Sequence, residues 1–197
     1  MRASTPLSAS ARPFGRMNDS KVLNMTETTS DTALFDHSRD FYADAFIRHI
    51  LRTCRTFAMV GASTNWNRPS YFAMQYMLQK GMNVIPVNPG AAGQEILGRT
   101  VVASLADIHE PVDVVQIFRR SDQVPGVVEA ALKMLPLPKV IWMQLGVVND
   151  EAAHMAEAAG LSVVMNRCPK IEHARLSGEL GWNGINTRVI TSKKKVV

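Results

Sequence analysis

The sequence predicts an α/β fold: a doubly wound parallel sheet of five or more strands, in a single domain with a disordered N-terminal tail. Three observations predict it. Short runs that are apolar on both faces, such as TFAMV and VDVVQIF, suit strands covered by helices on both sides. These runs alternate with stretches of helical spacing, the order of a parallel sheet. Glycine or proline stands where the helices should stop, at Gly81, Pro136 and Gly160.

Residues 1–30 are rich in Ser, Thr, Arg and Met and show no periodicity, so they are expected to form a disordered leader. The domain is expected over 31–187 and a basic tail over 188–197. From Asp40 to Leu51, the residues Phe41, Tyr42, Ala45, Phe46, Ile47, Ile50 and Leu51 follow helical spacing, with Asp36 or Ser38 as the cap. Thr56–Val60 is the first strand. Pro69–Lys80 is a helix, with proline in its first turn and Gly81 just past its end. Asn83–Val87 and Val112–Phe118 are the second and third strands. Ser121–Met134 is a helix stopped before Pro136. Val140–Leu145 is a strand, Asp150–Ala159 a helix closed by Gly160, and Leu161–Met165 a final strand. Right-handed crossovers make this a Rossmann-like sheet. Its ligand belongs at the C-terminal ends of the strands, at the switch point.

The composition narrows the function classes. Hydrophobic residues make up 46% of the 197 and charged residues 20%, which is globular rather than disordered. No run of 18 apolar residues exists, so no membrane partner is expected. Cys54 and Cys168 are too few for a disulfide framework. They flank the first and last strands at opposite ends of the sheet, so both are expected to be free thiols. The net charge is +5, yet it belongs to the ends. Residues 1–24 carry +3 and residues 188–197 carry +4, while the body between holds 14 basic and 16 acidic residues. A basic tail on a near-neutral body argues against a nucleic-acid partner, and no zinc finger or RNP aromatics appear. A cytoplasmic location is expected. The Arg- and Ser-rich leader, free of acids before Asp19, also has the composition of a transit peptide, which would mean the mitochondrial matrix. Met17 and Met25 are alternative starts.

The strand ends carry the candidate site. The first strand runs into Gly61-Ala62-Ser63, with Arg68 and Pro69 ahead of the next helix. Glycine there permits a tight turn and close approach to a ligand, and a helix N-terminus favours anions. The run is not G-x-G-x-x-G. The second strand ends in Asn88-Pro89-Gly90, where dinucleotide-binding folds place an acid for the ribose. The third ends in Phe118-Arg119, a stacking face beside a guanidinium. The fourth ends in Gln144-Leu145-Gly146 and the fifth in Asn166-Arg167-Cys168. Arg68, Arg119 and Arg167 thus share one edge, and guanidinium forks match phosphate oxygens. No catalytic constellation appears. Ser63 lies in GAS rather than a hydrolase elbow, Cys168 has only Arg167 and His173 nearby in sequence, and the five histidines show no metal spacing.

The runs VGASTNWNRPSYFAMQYMLQKGMNVIPVNPG, PVDVVQIFRRS, KVIWMQLGVVNDEAA and AGLSVVMNRCPKIEHARL strongly resemble the small stand-alone CoA-binding proteins. That family is similar to the CoA-binding domain of the succinyl-CoA synthetase alpha subunit. The resemblance covers Arg55 to Leu176. It implies coenzyme A, free or acylated, along the strand ends. Gly61, Ala62 and Ser63 would line pantetheine and phosphates, and Asn88 and Pro89 would flank the nucleotide. Phe118 and Arg119 would lie by the adenine and its phosphates, and Gln144 and Gly146 would face the thiol. Arg68, Asn166 and Arg167 match family motif positions. The synthetase subunit has lysine where this chain has Ala91, so Arg68 or Arg119 is the candidate replacement. The synthetase's phosphorylated histidine and nucleotide-grasping domain are absent. The expected function is therefore binding of CoA or acyl-CoA without catalysis, alone, as a homo-oligomer or beside an acyl-CoA enzyme. The alternatives are an NAD(P)-dependent oxidoreductase, which lacks its fingerprint here, and a nucleotide-sensing regulator, which lacks a DNA-binding module. A valine at Gly61 is expected to weaken ligand binding and to spare most of the fold.

Overall fold

A computed structural model describes residues 42–178. The expected leader and basic tail, Phe41, and the candidate caps Asp36 and Ser38 lie outside the described residues. The elements run α1 (Asp44–Thr53), β1 (Thr56–Val60), α2 (Pro69–Gln79), β2 (Asn83–Val87), β3 (Glu95–Ile96), β4 (Arg99–Thr100) and β5 (Val114–Ile117). Then follow α3 (Val124–Ala131), β6 (Val140–Met143), α4 (Asp150–Ala158), β7 (Ser162–Val164) and α5 (Pro169–Leu176).

The main sheet has five strands in the order β2-β1-β5-β6-β7, every pair parallel. Alternate strand residues feed two cores, one per face. Phe57, Met59, Val84, Val114 and Trp142 join Ile47, Ile50, Ala73, Met74 and Met77 of α1 and α2. Ala58, Val60, Val115, Ile117 and Met143 join Val124, Val128, Ala152 and Ala156 of α3 and α4. This is the doubly wound α/β arrangement that apolar faces on both sides of each strand predict.

Local signals set the helix ends. Pro69 opens α2, where its missing N–H costs nothing, and Gly81 follows it at φ +76°. The Asn149 side chain caps α4 by accepting from the Ala152 N–H at 2.8 Å. α1 starts at Asp44 after Ala43, which offers no side-chain cap. The expected helix over 121–134 divides. Residues Ser121–Gln123 form a 3₁₀ turn, and the α-helix begins at Val124. Pro125 explains this, because proline is accommodated only in a first helical turn.

The N-terminal edge of the sheet is joined by one carboxylate. Asp113 accepts from the backbone N–H of Arg55 at 2.8 Å and of Thr56 at 3.1 Å, and pairs with Lys139 Nζ at 2.7 Å. It thereby links the starts of β1, β5 and β6. Partial burial would raise its pKa, but the Lys139 bond and the two amides together outweigh this and hold it below the ordinary value. A depressed folded-state pKa contributes stability above the unfolded value of about 3.9 and loses it as pH falls through the folded one. Asp113→Asn is expected to cost about 1–2 kcal/mol at pH 7, one charge-assisted contact weakened by exposure. The difference from wild type should be smaller at pH 3 than at pH 7, because loss of the contribution sets in below about 3.9 as the carboxylate begins to protonate. Urea denaturation at both pH values measures it; an equal gap at both would contradict the assignment.

Candidate functional site

At their C-terminal ends β1 and β5 lie side by side, but β1 leads to α2 on one face and β5 to α3 on the other. The two outgoing loops diverge and open a crevice, the switch point where ligands bind in such sheets. Gly61 stands at this point with φ +89° and donates its N–H to Val87 O at 2.9 Å. A Cβ there would overlap the carbonyl oxygen of Phe118 and lie 3.3 Å from Nε of Arg119. The glycine is therefore required by the neighbouring strand itself, whatever binds above it.

The loop after Gly61 is held by its own small polar residues. Ser63 N–H donates to the hydroxyl of buried Ser70 at 3.2 Å, Asn65 N–H to Ser63 Oγ at 3.2 Å, and Asn67 N–H to Asn65 Oδ1 at 2.9 Å. Arg68 follows as the residue before α2 and is exposed. Asn88 bridges two loops: Nδ2 donates to the carbonyl of buried Ala62 at 2.7 Å, and Oδ1 accepts from Gly90 N–H at 3.1 Å. Both ends of its amide shape the site from within. Pro89 opens the exposed turn beside it.

The structure separates the arginines that the sequence places on one edge. Arg119 is half-buried beside Gly61, and no hydrogen bond or ion pair with a described residue engages it. Arg68 is equally unengaged. Arg119 borders the β1/β5 crevice, with Phe118 half-buried next to it, and Arg68 stands exposed at the end of the loop from β1 to α2. Arg120 is instead paired with Asp122, Nε to Oδ1 at 3.0 Å and Nη2 to Oδ2 at 3.0 Å. Arg167 turns inward. Its guanidinium lies 3.7 Å from the carboxylate of buried Glu172 and 5.6 Å from the centre of the Tyr42 ring, and donates to Asn166 O at 2.9 Å.

Beyond β6 and β7, Gly146 (φ +78°) donates its N–H to Asn166 Oδ1 at 2.8 Å, and Asn166 itself holds φ +54°. The β6 and β7 loops are thus fastened to each other. Gln144 is buried just past β6, and its Nε2 has no hydrogen-bond partner among the described residues. Cys168, just before α5, is buried and free. Burial pushes its thiol up despite the amides of Lys170 and Ile171, and burial likewise raises Cys54. Neither is an activated nucleophile. Among the described residues no group of His, Cys, Asp and Glu could hold a metal ion. No described helix is long and apolar enough to cross a membrane.

Sequence reasoning missed α5 and the network it carries. Arg175 bonds Glu172 at 2.7 Å and Asp44 at 2.7 Å, and Tyr42 Oη accepts from Met165 N–H at 2.8 Å. These contacts tie α1 and α5 to the end of β7. Pro169 after Cys168 is a helix-start signal that was available in the sequence.

Comparison with known proteins agrees with this geometry. Residues 55–174 match the family described as "CoA binding domain". An uncharacterized protein of Bacillus subtilis (strain 168), YneT, is 42% identical over 130 residues, which are 66% of this chain and 93% of that protein. A hypothetical protein from Pyrococcus horikoshii OT3 is 40% identical with a TM-score of 0.65, covering 69% of this chain and 93% of the other. The Thermus thermophilus protein cell-free ID.343 is 34% identical with a TM-score of 0.65, covering 68% and 98%. With the family match spanning most of the described residues and the β1/β5 crevice at its centre, the chain belongs to the CoA-binding domain family.

Proposed function

We propose that the protein binds coenzyme A across the ends of β2, β1, β5 and β6, with the phosphates in the β1/β5 crevice. The observation that carries this reading is Arg119, a half-buried guanidinium beside Gly61 with no partner among the described residues. Arg68, on the loop that leaves β1, is a second cation for the same phosphates. Arginine forks suit phosphate oxygens, and Ala62 N–H, the one amide of the Gly61-Ala62-Ser63 turn that no described residue engages, is a neutral donor beside them. Phe118 offers a flat face for the adenine, and the turn at Asn88 and Pro89 offers the nucleotide a rigid shelf. Gln144 and Gly146 receive the pantetheine end. Asn166 and Arg167 act as positioning residues, holding the Gly146 loop and the start of α5. The reading is one of binding, with acyl chemistry left to a partner enzyme or to a second copy.

Calorimetry with CoA, dephospho-CoA, NAD and NADP tests this. CoA is expected to bind tightest. Dephospho-CoA should lose about 1.5–3 kcal/mol, one charged hydrogen-bond contact. Arg119→Ala should weaken CoA binding at low salt, and the gap from wild type should narrow at high salt as screening removes the charge. NAD binding tighter than CoA would overturn the proposal.

A further inference from the structure

Gln144 points to the form of CoA that the site selects. It follows β6, and the pairing of Ile117 with Met143 sets it opposite Phe118 at the sheet edge. Trp142, two residues earlier, faces the α2 side, so Gln144 faces that side too. It is 4% exposed, and its Nε2 is buried without a hydrogen-bond partner. A buried amide donor left unmade loses its hydration and gains nothing in return. On the CoA reading the charged half of the ligand belongs at Arg119, which follows β5 beside Gly61 and is engaged by no described residue. β6 is the next strand outward from β5 in the sheet, which puts Gln144 on the side of the uncharged end of the ligand.

A free thiol is a poor match for this donor, because sulfur accepts hydrogen bonds weakly. A thioester carbonyl is a strong acceptor at nearly the same position. Resting on the CoA reading above, we propose that the site prefers acyl-CoA thioesters to free CoA, with Gln144 Nε2 donating to the acyl carbonyl. Gln116 supplies a comparison within the same sheet. Both its amide atoms are buried and unpartnered, but it lies one row inward, between Met59 and Trp142.

The test compares acetyl-CoA, S-ethyl-CoA and CoA by calorimetry on the full chain. S-ethyl-CoA matches acetyl-CoA in size and lacks only the carbonyl oxygen. Wild type is expected to bind acetyl-CoA about threefold to tenfold more tightly than S-ethyl-CoA, the range of one neutral hydrogen bond. In Gln144→Met, close in shape, the two should bind equally. In Gln116→Met the wild-type ratio should persist. Equal binding of acetyl-CoA and S-ethyl-CoA by wild type, or a preference that survives Gln144→Met, would overturn the inference and leave the CoA reading intact. Failure of wild type to bind any of the three would overturn both.

Discussion

Gly61→Ala is expected to destabilise the fold by about 2–5 kcal/mol. Two costs combine. Forcing a side chain onto a positive-φ backbone costs roughly 1–2 kcal/mol, and the residue holds φ +89°. Overpacking adds typically about 1–3 kcal/mol, because the new Cβ would overlap the Phe118 carbonyl. That carbonyl belongs to backbone at the end of the central strand and cannot swing aside like a side chain. Gly61→Val should be worse still. This corrects the expectation that a valine would spare most of the fold and harm only the ligand site. Urea denaturation of both variants measures the loss. A wild-type midpoint for Gly61→Ala would mean that β1 and β5 do not approach as described. A CoA-specific effect must be sought at Arg119, where charge can be removed without strain.

Glu172→Ala is expected to cost about 3 kcal/mol. Its carboxylate is 2% exposed and accepts from Arg175 Nε at 3.2 Å and Nη2 at 2.7 Å, with Arg167 Nε at 3.7 Å. Removing one member of a buried pair leaves its partner desolvated and uncompensated, which costs about 3–5 kcal/mol. The lower end applies here, because Arg175 keeps Asp44 and is partly exposed. The damage should centre on Arg167, whose side chain is 15% exposed. Its carbonyl accepts from the indole N–H of fully buried Trp142 at 2.8 Å, so loosening this loop should also shift Trp142 fluorescence. Glu172→Gln, which keeps the shape and one acceptor oxygen, should lose less. Thermal unfolding of the two variants beside wild type decides the matter; no loss in Glu172→Ala would show that the network is not structural.

Much of the fold was legible because its signals are local. β1 and β2 lie where the apolar runs place them, from Thr56 to Val60 and from Asn83 to Val87. Pro69 marks the start of α2 in both readings. The third strand is shorter than its run, since Asp113 turns to the N-terminal edge and Phe118 follows the diverging chain. β3 and β4 have two residues each, too few for periodicity to register. α5 reads PKIEHARL, with no apolar stripe to announce it. It is fastened by polar contacts to partners far away in sequence, Arg175 to Asp44, His173 to Tyr76 and the Leu176 carbonyl to Arg48, and those leave no spacing pattern behind.

The sequence by itself determined the strand and helix alternation, the family, and the set of loops that gather at one sheet edge. It also placed glycine at the turn after β1. Each of these follows from a residue and its near neighbours, through burial pattern, caps and backbone freedom. Only the tertiary structure decided which polar groups at that edge remain available. Three arginines looked equivalent in the chain; Glu172 and the Tyr42 ring engage Arg167, while no described residue engages Arg68 or Arg119. Asn88 serves the loops on both sides of it, and Gln144 is left with an unpaired donor. A charge or amide is satisfied by whatever lies within about 3 Å of it, and that neighbourhood is assembled only when distant segments pack.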